Sequence, residues 1–62
     1  MEFQIPAMSC GHCVGVITQT VQQLDPAATV SADLATHRVT VQTTQEHQAV
    51  AQALAEAGYP PA

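Results

Sequence analysis

The chain has 62 residues, 47% of them hydrophobic, with one Lys or Arg against five Asp and Glu and a formal charge of −4. At this length folding buries only about 60% of the surface the unfolded chain exposes, so a single core must use nearly all the apolar side chains. Neither a second domain nor a deep substrate cavity fits, and the acidic balance argues against nucleic acid and anionic membrane surfaces as partners.

Residues 2 to 5 alternate polar and apolar, which predicts a short strand with Phe3 and Ile5 facing inward and Pro6 ending it. After a loop from Pro6 to Gly11, the apolar residues Val14, Ile17, Val21 and Leu24 recur at helical spacing. That pattern predicts a helix stopping near Asp25-Pro26, where proline cannot continue it. Thr29 to Leu34 alternates with Val30, Ala32 and Leu34 on one face, and His37 to Thr43 alternates with Val39 and Val41 on one face. The short Ala35-Thr36 link predicts an antiparallel hairpin. A second helical stripe of His47, Val50, Leu54 and Ala57 follows, with Thr44 as the expected N-cap and Gly58 as the stop. The tail Tyr59-Pro60-Pro61-Ala62 leaves room for at most a short edge strand.

This order predicts an α+β, ferredoxin-like βαββαβ arrangement: an antiparallel sheet with two helices on one face, and a fourth strand short or absent. Residues 1 to 62 form one expected domain. The N-terminus has no basic region followed by an apolar run, so a cytoplasmic protein is expected, standing alone behind its Met1. Nothing approaches the roughly 20 apolar residues of a membrane span, so no membrane insertion is expected.

The chemistry concentrates in Met8-Ser9-Cys10-Gly11-His12-Cys13. Cys10 falls just before the predicted helix and Cys13 in its first turn, where free backbone N–H groups and the helix dipole favour thiolate. The dipole alone contributes about 0.3–1 kcal/mol. Two thiolates without further obvious ligands do not complete the four-coordinate site that structural zinc prefers, but they suit a soft monovalent ion. Copper(I) is the natural candidate. Such an under-coordinated site also leaves space for an incoming thiolate, so the ion can be handed on by ligand exchange, and it permits copper to bridge two copies into a homodimer.

Met8-x-Cys10-x-x-Cys13 after a first strand, with Gly58-Tyr59 after a second helix, resembles the heavy-metal-associated (HMA) domain family, in particular its small bacterial Atx1-like or CopZ-like copper chaperones. The resemblance covers essentially the whole chain. It implies a ferredoxin-like fold that binds copper(I) through Cys10 and Cys13 and passes it to the soluble domain of a copper-transporting P-type ATPase, with no catalytic residues. It also implies that Met8 packs inward as support, and that Tyr59 lies beside the metal loop with its hydroxyl offered to a sulfur or a backbone group. The proline-rich end is a departure from the family pattern and bears on the fourth strand.

Other readings compete at the same residues. Cys-Gly-His-Cys is also the active-site tetrapeptide of protein disulfide isomerases, so a thiol-disulfide oxidoreductase is the alternative of a different class. The shortness of the chain, its lack of Trp and its terminal prolines weigh against a thioredoxin-like domain. A chaperone or sensor for mercury(II) or zinc(II) is a nearer alternative. Met8 offers a thioether to copper(I) but also fills gaps under loops. His12, between the cysteines, is either a solvated residue or an auxiliary ligand when a second molecule approaches. His37 and His47 are expected to be structural or solvated and away from the site. If charge steers docking, the partner surface is relatively basic.

Overall fold

The computed structural model describes every residue from Met1 to Ala62. Strand β1 (Glu2–Gln4), helix α1 (Gly11–Leu24), strands β2 (Thr29–Asp33) and β3 (Arg38–Gln42), and helix α2 (His47–Glu56) follow in that order. The three strands form one antiparallel sheet in the order β1-β3-β2. Phe3 faces Val39, Val39 faces Ala32 and Val41 faces Val30. Alternation therefore stacks apolar side chains on one face across all three strands.

The two helices cover that face. Cys13, Ile17 and Val21 of α1 and Val50 and Leu54 of α2 are buried with Phe3, Ile5, Met8, Ala28, Val39 and Val41 in a single core, with no buried polar side chain. Val14 and Leu24, expected on the core stripe of α1, pack at its margin. The centre of that stripe runs through Cys13, which ties the metal loop's second sulfur to the hydrophobic core.

Helix α1 ends at Asp25, whose backbone N–H donates to Val21 O at 2.9 Å, and Pro26 follows. Thr43, just past β3, donates its hydroxyl to Asp25 Oδ2, joining the end of β3 to the C-terminus of α1. No fourth strand forms. The tail instead runs beside β1 for a single backbone hydrogen bond, from Ala62 N–H to Gln4 O at 2.7 Å, as two prolines without N–H groups allow.

Three expectations are corrected. Leu34 does not join the inward face: β2 ends at Asp33, whose Oδ1 accepts the Ala35 N–H, and this side-chain turn carries Leu34 into solvent at 39% exposure. Thr44 is not the N-cap of α2, which begins at His47 after Glu46 with no side-chain cap; Thr43 instead bonds the Gln45 N–H and shapes the bend before the helix. His47 does not enter the core stripe but stays exposed and stacks on Phe3, ring centroids 4.6 Å apart. A shallow open groove of about 410 Å³ between the helices, lined by Thr20, Gln23, Leu24, Ala53, Glu56 and Ala57, excludes both cysteines.

Candidate metal centre

The loop leading to the cysteines is built on a turn. Pro6 occupies its second position, where a fixed φ favours turning, and the Met8 N–H closes it on Ile5 O at 3.1 Å. The turn drops Met8 into the core with no exposure. Its side chain packs beneath the loop in the same buried cluster as Cys13.

Cys10 is the N-cap of α1, in extended conformation, and its carbonyl accepts the first helical bond from Val14 at 3.3 Å. Its side chain makes no capping bond, which leaves the sulfur free. One helical turn later Cys13 brings its sulfur to 3.5 Å from that of Cys10. The pair is asymmetric: both thiols are free, but Cys10 is exposed and Cys13 buried. No third His, Cys, Asp or Glu joins them in a cluster.

The Cys13 thiol is held down to about 6 from its ordinary 9.0. The Tyr59 hydroxyl is the largest cause, followed by the backbone N–H of Ser9, the Cys10 thiol and the Cys10 backbone, with burial working against them. Hydrogen bonds to a sulfur favour its charged form. The reciprocal effect raises the Tyr59 phenol above 10.0, first through its bond to Cys13 and then through burial.

The position of Tyr59 follows from how α2 ends. Gly58 takes a left-handed φ of 94°, the Gly58 N–H bonds Ala55 O at 3.1 Å and the Tyr59 N–H bonds Leu54 O at 2.9 Å. This is the paired hydrogen bonding of a Schellman motif, which turns the chain back across the last helical turn. Tyr59 packs half-buried against the core from there.

His12 sits in the first turn of α1, exposed. His37, expected to stay away from the site, reaches its loop: ring Nδ1 lies 2.6 Å from Met8 O. The contact was hidden in the sequence because it depends on the register of β1 against β3, in which Gln4 faces Arg38 and so sets the hairpin turn beside the loop.

Residues 2–60 match the sequence profile of the Heavy-metal-associated domain. The chain belongs to the heavy-metal-associated domain family. Its fold and paired cysteines are those of a metal-binding HMA domain, here without the fourth strand. Among solved structures, the chain is 43% identical to a gold binding protein, covering 98% of this chain and 94% of that one at a TM-score of 0.95. It is 31% identical to the copper chaperone Atx1 of Synechocystis PCC6803 in a trimeric form, over 100% of this chain and 98% of that one, TM-score 0.98. It is also 35% identical to protein Atu1203 of Agrobacterium tumefaciens, over 100% and 97% of the two chains, TM-score 0.88. No curated protein sequence matches the chain. No helix of this HMA domain is long and apolar enough to cross a membrane.

Proposed function

We propose that this HMA domain is a cytoplasmic copper(I) chaperone, acting as a single unit over residues 1 to 62 without catalysis. Cys10 and Cys13 hold one copper(I) and pass it to the soluble metal-binding domain of a copper-transporting P-type ATPase. The observation that carries the reading is the pair of free sulfurs 3.5 Å apart at the surface edge, with no third ligand-type side chain clustered beside them. Two sulfur donors suit a soft monovalent cation, whereas structural zinc takes four ligands.

The asymmetry of the pair supports transfer. Exposed Cys10 is the position at which a partner thiolate replaces one copper–sulfur bond, while buried Cys13 keeps the ion anchored until a second partner sulfur displaces it. Each step exchanges one thiolate for another, so the copper is never released to water and its oxidation state does not change. The same asymmetry disfavours the oxidoreductase reading. A disulfide-exchange nucleophile needs an accessible thiolate, and here the thiol with the lowered pKa is the buried one.

The likeness to a gold binding protein at 43% identity favours a second reading within the same chemistry, that the site serves gold(I). The likeness to a trimeric copper chaperone supports assembly of copies around shared copper, including a copper-bridged homodimer.

Anaerobic titration of the reduced protein with copper(I) against bicinchoninate tests the proposal, with gold(I) as competitor. Tight one-to-one copper binding is expected, abolished in Cys10→Ser and Cys13→Ser. Copper left entirely on the chelator, displacement of copper by equimolar gold(I), or metal-free catalysis of disulfide exchange overturns it.

A further inference from the structure

We propose that the uncharged outer face of α1, next to the sulfur pair, is the surface on which a second copy of this chain seats when the two share copper(I). The inference rests on the copper(I) reading and adds to it the surface and the residues that select the partner.

The charges lie elsewhere. From Phe3 to Leu24, through the whole metal loop and all of α1, the chain carries no Asp, Glu, Lys or Arg. Glu2 and Arg38 pair at 3.8 Å on the strands. Asp25 caps the far end of α1, Asp33 ends β2, and Glu46 and Glu56 mark the two ends of α2. Two copies, each at −4, repel one another overall, and across the α1 face alone they set no charged side chain against another. Depletion of charge is what marks the core of a protein interface.

The exposed positions of α1 fall in one row. Gly11, Gly15, Gln19 and Gln22 recur at helical spacing and are all exposed, so they share the side of the helix turned away from the core. A two-fold interface sets one patch against itself, so its groups must be self-complementary. A glutamine amide both donates and accepts, so glutamines pair with one another across such an axis. A carboxylate or an ammonium cannot. The face therefore fits a second copy better than an acidic or a basic partner.

Gly15 supports the same assignment. Glycine inside a helix is destabilising relative to alanine. Nothing within the chain calls for it: a Cβ at Gly15 would meet no atom within 4 Å, and its φ is not positive. The missing side chain leaves the helix surface open two residues past Cys13, where another chain can come close.

Area sets the part played by the metal. A stable interface takes about 800 Å² from each partner. That is more than a fifth of the 3648 Å² this chain exposes. A single helix of 14 residues, about 21 Å long, presents less. The face therefore orients two copies that copper(I) joins, and metal-free copies stay apart.

Sedimentation of the reduced protein, with and without copper(I), tests the surface. Gly15→Glu and Gln19→Glu each place a carboxylate on the face, whereas Gln42→Glu adds the same charge to the exposed end of β3. Copper-loaded wild type is expected to associate and metal-free wild type to stay monomeric. Gly15→Glu and Gln19→Glu should each weaken copper-loaded association about tenfold, through like charges set against each other. Gln42→Glu should weaken it less than about twofold, since its charge lies off the face and is screened. By competition with bicinchoninate, the one-to-one copper(I) affinity of Gln19→Glu should stay within about twofold of wild type. Raising the salt should leave wild-type association unchanged or stronger, because it screens only the overall repulsion. Association that falls with salt, or Gln19→Glu no weaker than Gln42→Glu, overturns the proposal. Should Gly15→Glu fail to fold, Gln19→Glu carries the comparison. A wild type that binds copper(I) yet stays monomeric overturns this proposal alone; one that leaves copper(I) on the chelator overturns the functional reading and this proposal with it.

Discussion

The Tyr59 phenol and the Cys13 thiol shift each other in opposite directions: the hydrogen bond between them lowers Cys13 to about 6 and raises Tyr59. One proton is thus held on oxygen so that sulfur can give up its own. Tyr59→Phe keeps the half-buried ring and deletes only that donor. The thiolate absorbance of Cys13, followed in a Cys10→Ser background, is expected to titrate at higher pH than with Tyr59 present. Apparent copper(I) affinity near neutrality is expected to fall by up to about tenfold for each unit of that rise, as protons compete for the sulfur. Because the lowered thiol contributes to folding, the melting temperature of the metal-free protein should also fall at and above neutral pH. An unshifted titration would leave Tyr59 with packing alone.

The lowered thiol also sets a pH dependence. Above about pH 6 Cys13 is already ionised, so metal binding releases no proton from it; below that, each copper bound must displace one. The slope of log affinity against pH should therefore steepen by about one as pH falls through this point. Folding has its own sign. Because the native thiol is depressed below its unfolded value of 9.0, its contribution to stability is fully present above 9.0 and is lost as pH falls through about 6. Melting temperatures of the metal-free wild type, taken relative to Cys13→Ser, should rise from pH 6 to pH 9. A flat difference would mean that Cys13 titrates alike folded and unfolded.

Much of this arrangement is legible in the residues, and the limits of legibility are physical. Cys10 and Cys13 can be placed at a helix start because Gly11 to Leu24 carries an apolar period and Pro26 ends it. Gly58 can be read as a stop because a left-handed position favours glycine. Leu34 misleads because alternation continues one residue past the last ladder pair, and only the Asp33 turn reveals where pairing stops. Thr44 misleads because two adjacent threonines compete for one bend and the hydroxyl of Thr43 takes the backbone donor. The His37 contact depends on strand register and on a left-handed backbone at a residue other than glycine, neither of which periodicity encodes.

Met8 is fully buried beneath the loop, so packing is its expected role. Met8→Leu nearly conserves volume and removes the sulfur, so copper(I) affinity should stay within about twofold and stability should drop by less than about 1.5 kcal/mol. Met8→Ala opens a cavity beneath the loop and is expected to cost about 2–5 kcal/mol, enough to unfold much of so small a domain. A large loss of affinity in a folded Met8→Leu protein would make the thioether a ligand after all.

His12 presents the opposite case, a potential ligand lying in solvent. It is exposed in the first turn of α1 and forms no cluster with the two sulfurs, so an ion held between Cys10 and Cys13 gains nothing from its imidazole within one chain. His12→Ala should leave the one-to-one copper(I) affinity within about twofold of wild type, as expected for a surface substitution. Its effect is expected in assembly. When a second copy approaches the open side of the sulfur pair, His12 is the ligand-type side chain that each copy presents beside its own cysteines. Sedimentation of the copper-loaded protein should therefore show weaker self-association in His12→Ala than in wild type, and metal-free samples should show no difference. Equal association with copper bound would leave the bridging to sulfur alone.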